Sequence, residues 1–411
     1  MTILTKTFCN KYNTNSSTDD ENYSIEIFDS IDDVVEDWSF VSMAHDIFFG
    51  AEFLRCVEKF PATGIIPYYG LVKDQGEPVG IVYFQSKYVR LKENLRSPKS
   101  SNGKFSIVTD PFKQALVSAI NFETIICGNL LLTGKYGFYF KEKISREDQF
   151  VLVKKAIDKL AGFLQSQGKN QGLILVKDFF SVDNPADETF YEGFTKFTVQ
   201  PKMILDMDSS WQTFDDYLGA LKSKYRVRAR KAMQKCQRIV KIEFDHEDIA
   251  KHRDIIHSLY KNISDQADFN AFVLHKYYFE NLKKALGDQL TFTVYIEGGR
   301  MVAFYTSILN YDVLDAHFLG YDPEENNRSQ LYLNMLYDLI REGIQKKVRI
   351  IDLSRTAVEI KSTVGAVPKE MYLYLKHSNA VLNKTVESIL GLVKPSADFL
   401  IRSPFREEGE S

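Results

Sequence analysis

Apolar and polar positions alternate over two stretches that read alike. Leu71-Val-Lys-Asp-Gln-Gly-Glu-Pro-Val-Gly-Ile81 is a strand, a tight polar turn and a second strand, and Val294-Tyr-Ile-Glu-Gly-Gly-Arg-Met-Val-Ala-Phe304 matches it position for position. Each has an acid before the turn (Asp74, Glu297) and a glycine within it (Gly76, Gly299), where a positive φ costs little. A helical face comes later in each half. Val153, Ala156, Ile157, Leu160, Ala161 and Leu164 recur at three- and four-residue spacing after Glu147, and Leu331, Met335, Leu336, Leu339, Ile340 and Ile344 do the same. Gly168 ends the first helix and Gly343 lies near the end of the second; the short apolar runs Leu173-Ile-Leu-Val176 and Val348-Arg-Ile-Ile351 then read as buried strands.

Two matches in the same order predict a duplication: two α/β units with mixed sheets, each built as hairpin, helix and buried strand. The predicted boundaries are a disordered tail over 1–22, a first domain over 23–207, a second over 208–380 and an extension over 381–411. The first half carries extra chain over roughly 85–125, including the turn-rich Ser97-Pro-Lys-Ser-Ser-Asn-Gly103, read as an insertion or long loop.

Length agrees, since 411 residues exceed one ordinary domain of ~100–200. With 52 basic and 55 acidic residues the net charge is 52 − 55 = −3, which excludes a strongly basic nucleic-acid coat but not a local patch. Four scattered cysteines (Cys9, Cys56, Cys127, Cys236) offer neither a zinc cluster nor a disulfide framework. No apolar run approaches the ~18 residues of a membrane span. The expectation is a cytoplasmic protein with no transmembrane segment.

Phe318-Leu-Gly-Tyr-Asp-Pro323, the long amphipathic helix after it, Ile350-Ile-Asp-Leu-Ser-Arg-Thr356 and Glu359-Ile-Lys-Ser-Thr-Val-Gly-Ala366 resemble GNAT-type N-acyltransferase domains. The nearest branch is the one grouped with the Fem aminoacyltransferases, whose members carry two GNAT-like domains in tandem; Lys222-Ser-Lys-Tyr-Arg-Val-Arg-Ala-Arg-Lys231 is similar to the basic helix that opens the second domain there. The resemblance covers 211–377 best and 23–205 through the repeat. It implies two tandem GNAT-like domains, with acyl or aminoacyl transfer to an amine and no permanently bound cofactor. The family holds the CoA pyrophosphate in a Gln/Arg-x-x-Gly-x-Gly/Ala loop. Here the matching positions are Asn326, Ser329 and Leu331, so both glycines are lost. Asn326, Arg328 and Ser329, at a helix start with free N–H groups, are the expected donor contacts. Acyl-CoA and aminoacyl-tRNA both stand as donors, because Fem-type relatives use the latter.

Three groups of residues are candidates for the chemistry. Alternation along Val313–Tyr321 puts Asp315, His317 and Tyr321 on one face, and histidine and tyrosine suit a base and an acid for acyl transfer. Asp352, Arg355, Glu359 and Lys361 lie at the carboxyl end of the strand from Val348, where open α/β sheets place ligands. The expected roles are catalysis for His317, Tyr321 and Glu359, and substrate binding for Asp352, Arg355 and Lys361. Arg355 and Glu359, four apart, also fit a mere helix-surface ion pair. The third group is basic: residues 222–241 hold nine Lys or Arg and no acid. Arg226, Arg228 and Arg230 are the expected contacts to an anion, either tRNA or an anionic glycan, and a solvated helix face is the bland alternative. The remaining six histidines show no metal spacing. The functional expectation is an N-acyltransferase with an amine-bearing acceptor, such as a cell-envelope precursor. The competing class is a non-catalytic binding protein that keeps the fold and has lost the donor loop.

Overall fold

The computed structural model describes residues 23–42, 46–90, 121–169, 171–180, 193–266, 272–384, 386 and 399–406. The expected tail over 1–22 and most of the expected insertion, residues 91–120, lie outside the described residues; the two ends of that insertion, 85–90 and 121–125, are strand rather than loop.

The first half runs β1 (Tyr23–Phe28), α1 (Val35–Ser42), α2 (Ala51–Lys59), β2 (Ile65–Asp74), β3 (Glu77–Arg90), β4 (Asn121–Cys127), β5 (Phe138–Phe140), α3 (Arg146–Ser166), β6 (Gln171–Phe180) and β7 (Thr195–Thr198). The second begins with β8 (Lys202–Asp206), α4 (Phe214–Ala220), α5 (Ser223–Lys235), β9 (Val240–Glu243), α6 (His246–Lys251), α7 (Arg253–Ser264) and α8 (Tyr278–Leu286). It continues with β10 (Leu290–Glu297), β11 (Arg300–Asn310), β12 (Val313–Tyr321), α9 (Pro323–Ser329), α10 (Leu331–Gln345), β13 (Ile350–Asp352), α11 (Val358–Ser362), β14 (Val367–Lys369) and β15 (Met371–His377).

The two hairpins occupy matching places in two sheets. One sheet is ordered β1-β2-β3-β4-β6-β15-β7, with β5 also on β3, and the other β14-β8-β13-β12-β11-β10-β9. Both hairpin turns have two residues at positive φ, Gln75 and Gly76 at 49° and 91°, Gly298 and Gly299 at 56° and 79°, the left-handed geometry that suits twisted strands. In each half a helix then returns the chain to a parallel strand, pairing β4 with β6 and β12 with β13. Helix α3 starts where Ser145 accepts from Asp148 N, and its predicted apolar face is buried against the first sheet. Helix α10 lies on the outer face of the second sheet with α4 and α5.

The halves do not separate at residue 207. Strand β8 precedes that boundary yet pairs with β13 in the second sheet, and β15 returns from the second half to pair with β6 and β7 in the first. Each half thus lends one strand to the other. Between the sheets a single core unites Trp38, Phe53 and Tyr69 with Tyr278, Phe292 and Phe304. Of the expected extension, residues 399–406 pack on the body: Phe405 stacks near Trp211 and Lys222 N donates to Pro404 O.

Candidate active site

The site is built where the parallel pairs end. Ladder β12/β13 stops at Asp315 opposite Asp352, and ladder β4/β6 stops at Cys127 opposite Val176. Past these points the strands part and free their backbone groups and side chains for other partners. The two partings face each other across the shared core, so the carboxyl ends of four strands meet in one polar centre.

From the first half come Lys177 and Asp178, both buried. The Lys177 ammonium donates to the carbonyls of Asn129 and Leu132 at 3.0 and 2.9 Å and pairs with Asp178. Burial pulls it down to about 8, against the attraction of Asp178. Burial also penalises the Asp178 carboxylate, but Lys177, Arg355 and the Gly134 N–H together outweigh that and hold it below its usual range. Gly128 (φ 130°) lets Lys177 cross over the backbone, since a Cβ there would lie 2.4 Å from Lys177 Cγ.

From the second half come Asp315, His317, Asp352, Ser354, Arg355 and Lys361. Lys202, on β8, forms a buried ion pair with Asp352, whose other oxygen accepts from Ser354 N at 2.8 Å. Arg355 crosses to Asp178 in the first half, and Ser354 Oγ meets Thr133 Oγ1 at 3.0 Å. Lys361 is buried and donates to Arg355 O at 2.6 Å, and burial lowers its ammonium to about 7. Burial first, and then the charge of Asp352, push Asp315 well above the ordinary carboxyl range. Ser354, Thr356 and Ala357 all have positive φ, a run of strained backbone of the kind that persists at functional sites. The centre holds a small, partly open void of about 20 Å³ lined by Thr133, Tyr136, Asp315, His317, Asp352 and Ser354, with Phe48, Leu131 and Leu132 as its apolar wall. That is room for about one water.

The expected catalytic group does not come together. A β-bulge adds one residue to β12 between its pairings with Tyr305 and Ser307. Thr306 takes up the bulged backbone, accepting from Phe318 N and donating to Phe318 O, both at 2.9 Å. The extra residue reverses the alternation. His317 stays on the Asp315 side, facing the core between the halves, where its Nε2 lies 2.8 Å from Tyr278 Oη, while Tyr321, beyond the bulge, turns to the outer core beside Tyr332. Burial lowers His317 to about 3, so it is neutral at pH 7. Glu359 is exposed and pairs with Arg402 at 2.7 Å, away from the centre. Asp352, Arg355 and Lys361 do meet there.

Of the expected donor contacts, Ser329 is buried, Asn326 half-buried and Arg328 exposed. Residues 323–329 are helical, so Asn326 N donates to Asp322 O and Gln330 N to Asn326 O at 2.9 and 2.8 Å. Asn326 Oδ1 caps α10 by accepting from Tyr332 N at 2.9 Å. Ser329 and Arg328 both bind the buried Glu325 carboxylate. Asn326 Oδ1, Ser329 Oγ and one Arg328 nitrogen are thus engaged within the fold, while the Arg328 side chain stays 67% exposed. On α5, Arg228 and Arg230 are exposed and Arg226 is half-buried; among the described residues no carboxylate forms an ion pair with any of the three.

Lys177, Asp178 and Lys202 escaped sequence reasoning. Their signal was a charged pair, Lys177-Asp178, inside the apolar run Leu173–Phe180, at the end of a strand whose counterpart ends in Asp352.

Residues 223–362 match the family model described as an acetyltransferase (GNAT) domain. The crystal structure of FemX has a similar fold, with a TM-score of 0.51 and 12% identity over 86% of this chain and 98% of that one. A tandem GNAT protein from the clavulanic acid biosynthesis pathway gives a TM-score of 0.49 and 10% identity over 87% and 99%. The C-terminal domain of a putative lysylphosphatidylglycerol synthetase from Agrobacterium fabrum gives 0.46 and 9% over 91% and 100%. Among curated proteins no sequence matches. The second half thus carries a match to a GNAT acetyltransferase domain, and the chain as a whole shares its fold with FemX. No helix among the described residues is long and apolar enough to cross a membrane.

Proposed function

We propose that the protein transfers an acyl or aminoacyl group to the amine of a cell-envelope precursor, with the bond made at the polar centre between the halves. The carrying observation is that both strand partings converge there on a buried, charged, water-sized void. The amine attacks the acyl carbon directly. Burial raises the thiols of Cys56, Cys127 and Cys236, which leaves them poor nucleophiles.

A helix start already filled by its own side chains argues against tight CoA binding. The unpaired arginines of α5 support an anionic substrate, tRNA or an anionic glycan. A thermal-shift screen with acyl-CoAs, aminoacyl-tRNA and anionic glycans tests this, since a bound ligand stabilises the fold by mass action. The expected result is a shift with a polyanion that weakens with salt, by roughly 0.7–0.9 in log–log slope per phosphate, and that falls in an Arg226, Arg228 and Arg230 triple alanine variant. Submicromolar CoA binding by calorimetry would overturn the donor assignment. The small void also favours a second reading, a binding protein without turnover, which is distinguished by a ligand shift with no acylated product.

A further inference from the structure

Asp315 and Asp352 are cross-strand partners at the last rung of the β12/β13 ladder. They are 8% and 5% exposed, and both line the void. Both side chains face that void, and among the described residues no N–H or O–H donates to Asp315 Oδ2. Two buried carboxyl groups on one void disfavour a second negative charge. Lys202 distinguishes them: its Nζ pairs with Asp352, while burial and the neighbouring Asp352 push Asp315 well above the ordinary carboxyl range.

Resting on the function proposed above, we propose that Asp315 and Asp352 are the acid–base pair of the transfer step, one giving a proton to the leaving group while the other takes one from the attacking amine. The step balances. The neutral amine forms a C–N bond to the acyl carbon as the bond from that carbon to the donor's leaving atom breaks. Asp352 accepts one N–H proton, and Asp315 delivers its own proton to the leaving atom. The pair ends as it began, with one proton on two carboxyls, now exchanged. His317 flanks the void but is held by Tyr278, and neither Lys177 nor Lys361 lines it; the two carboxyls are the proton carriers assigned. The other charged or titratable groups acting on Asp315 are Lys202, Asp46 and Tyr136.

The test compares wild type with Asp315→Asn, which keeps the shape and removes the transferable proton. The expected result is a kcat lowered roughly 100-fold or more at little changed KM. In infrared difference spectra at pH 7 the wild type shows a protonated carboxyl band that the variant lacks. Asp352→Asn alone would strand the buried Lys202 charge, so the second variant is Asp352→Asn with Lys202→Met, which removes both charges. An active Asp315→Asn protein, an active double variant, or a band that survives the substitution overturns this inference alone. A folded wild type that acylates no amine from any donor overturns the proposed function, and this inference with it.

Discussion

At the scale of single residues, burial rather than residue type decides which groups can act. His317 has the side chain best suited to a base near neutral pH, yet burial lowers it to about 3. Its folded value lies below the ordinary ~6.5, so between those limits the unfolded chain binds more protons and stability falls as the pH is lowered. Urea midpoints at pH 7.5 and pH 5 should therefore drop further for wild type than for His317→Gln; equal drops would contradict the shift. Glu359 shows the converse. Exposed and paired only with Arg402, it is worth little at the surface. Glu359→Gln should leave turnover within about twofold and stability within ~0.5 kcal/mol, measured by initial rates and denaturant titration. A large rate loss would return Glu359 to the chemistry.

Among the elements, β12 matters most. Its span, Val313–Tyr321, is as the alternation predicts. The bulge at His317–Phe318 left no mark in the pattern, because both are residues that a regular strand accepts. Thr306 holds it with two hydrogen bonds. Thr306→Val keeps the shape and removes both, so a loss of ~1–3 kcal/mol is expected. A falling kcat in the same variant would tie the bulge to the site. Helix α9 is a similar case. The missing glycines at Ser329 and Leu331 were visible and pointed to weak CoA binding, but the turn of helix that consumes the N–H groups, and the buried Glu325 that holds Ser329 and Arg328, were not.

For the whole molecule, the exchange of β8 and β15 has a direct consequence. A fragment ending at 207 lacks β15, which pairs with both β6 and β7, and carries β8 without its sheet. Exposed strand edges of that kind aggregate. Separately expressed 23–207 and 208–406 are expected to be insoluble or unfolded by circular dichroism, while the full chain unfolds in one transition. Two independently folding fragments would show that the shared core and the Arg355–Asp178 ion pair are secondary to the halves' own stability.

The sequence by itself determined the local features of this protein: the paired hairpins, the two amphipathic helices with their following strands, the lost donor glycines and the basic run of α5. Each of these is written in spacing or residue type over a few neighbouring positions, and the periods of strand and helix are geometric properties of the backbone. Only the tertiary structure decided which strand ends meet, which face Tyr321 takes beyond the bulge, and that Lys177, Asp178 and Lys202 belong with Asp315 and Asp352. These outcomes depend on pairings between segments far apart in the chain and on burial, which sets the charge of each group once its neighbours are in place. No short window of sequence contains that information.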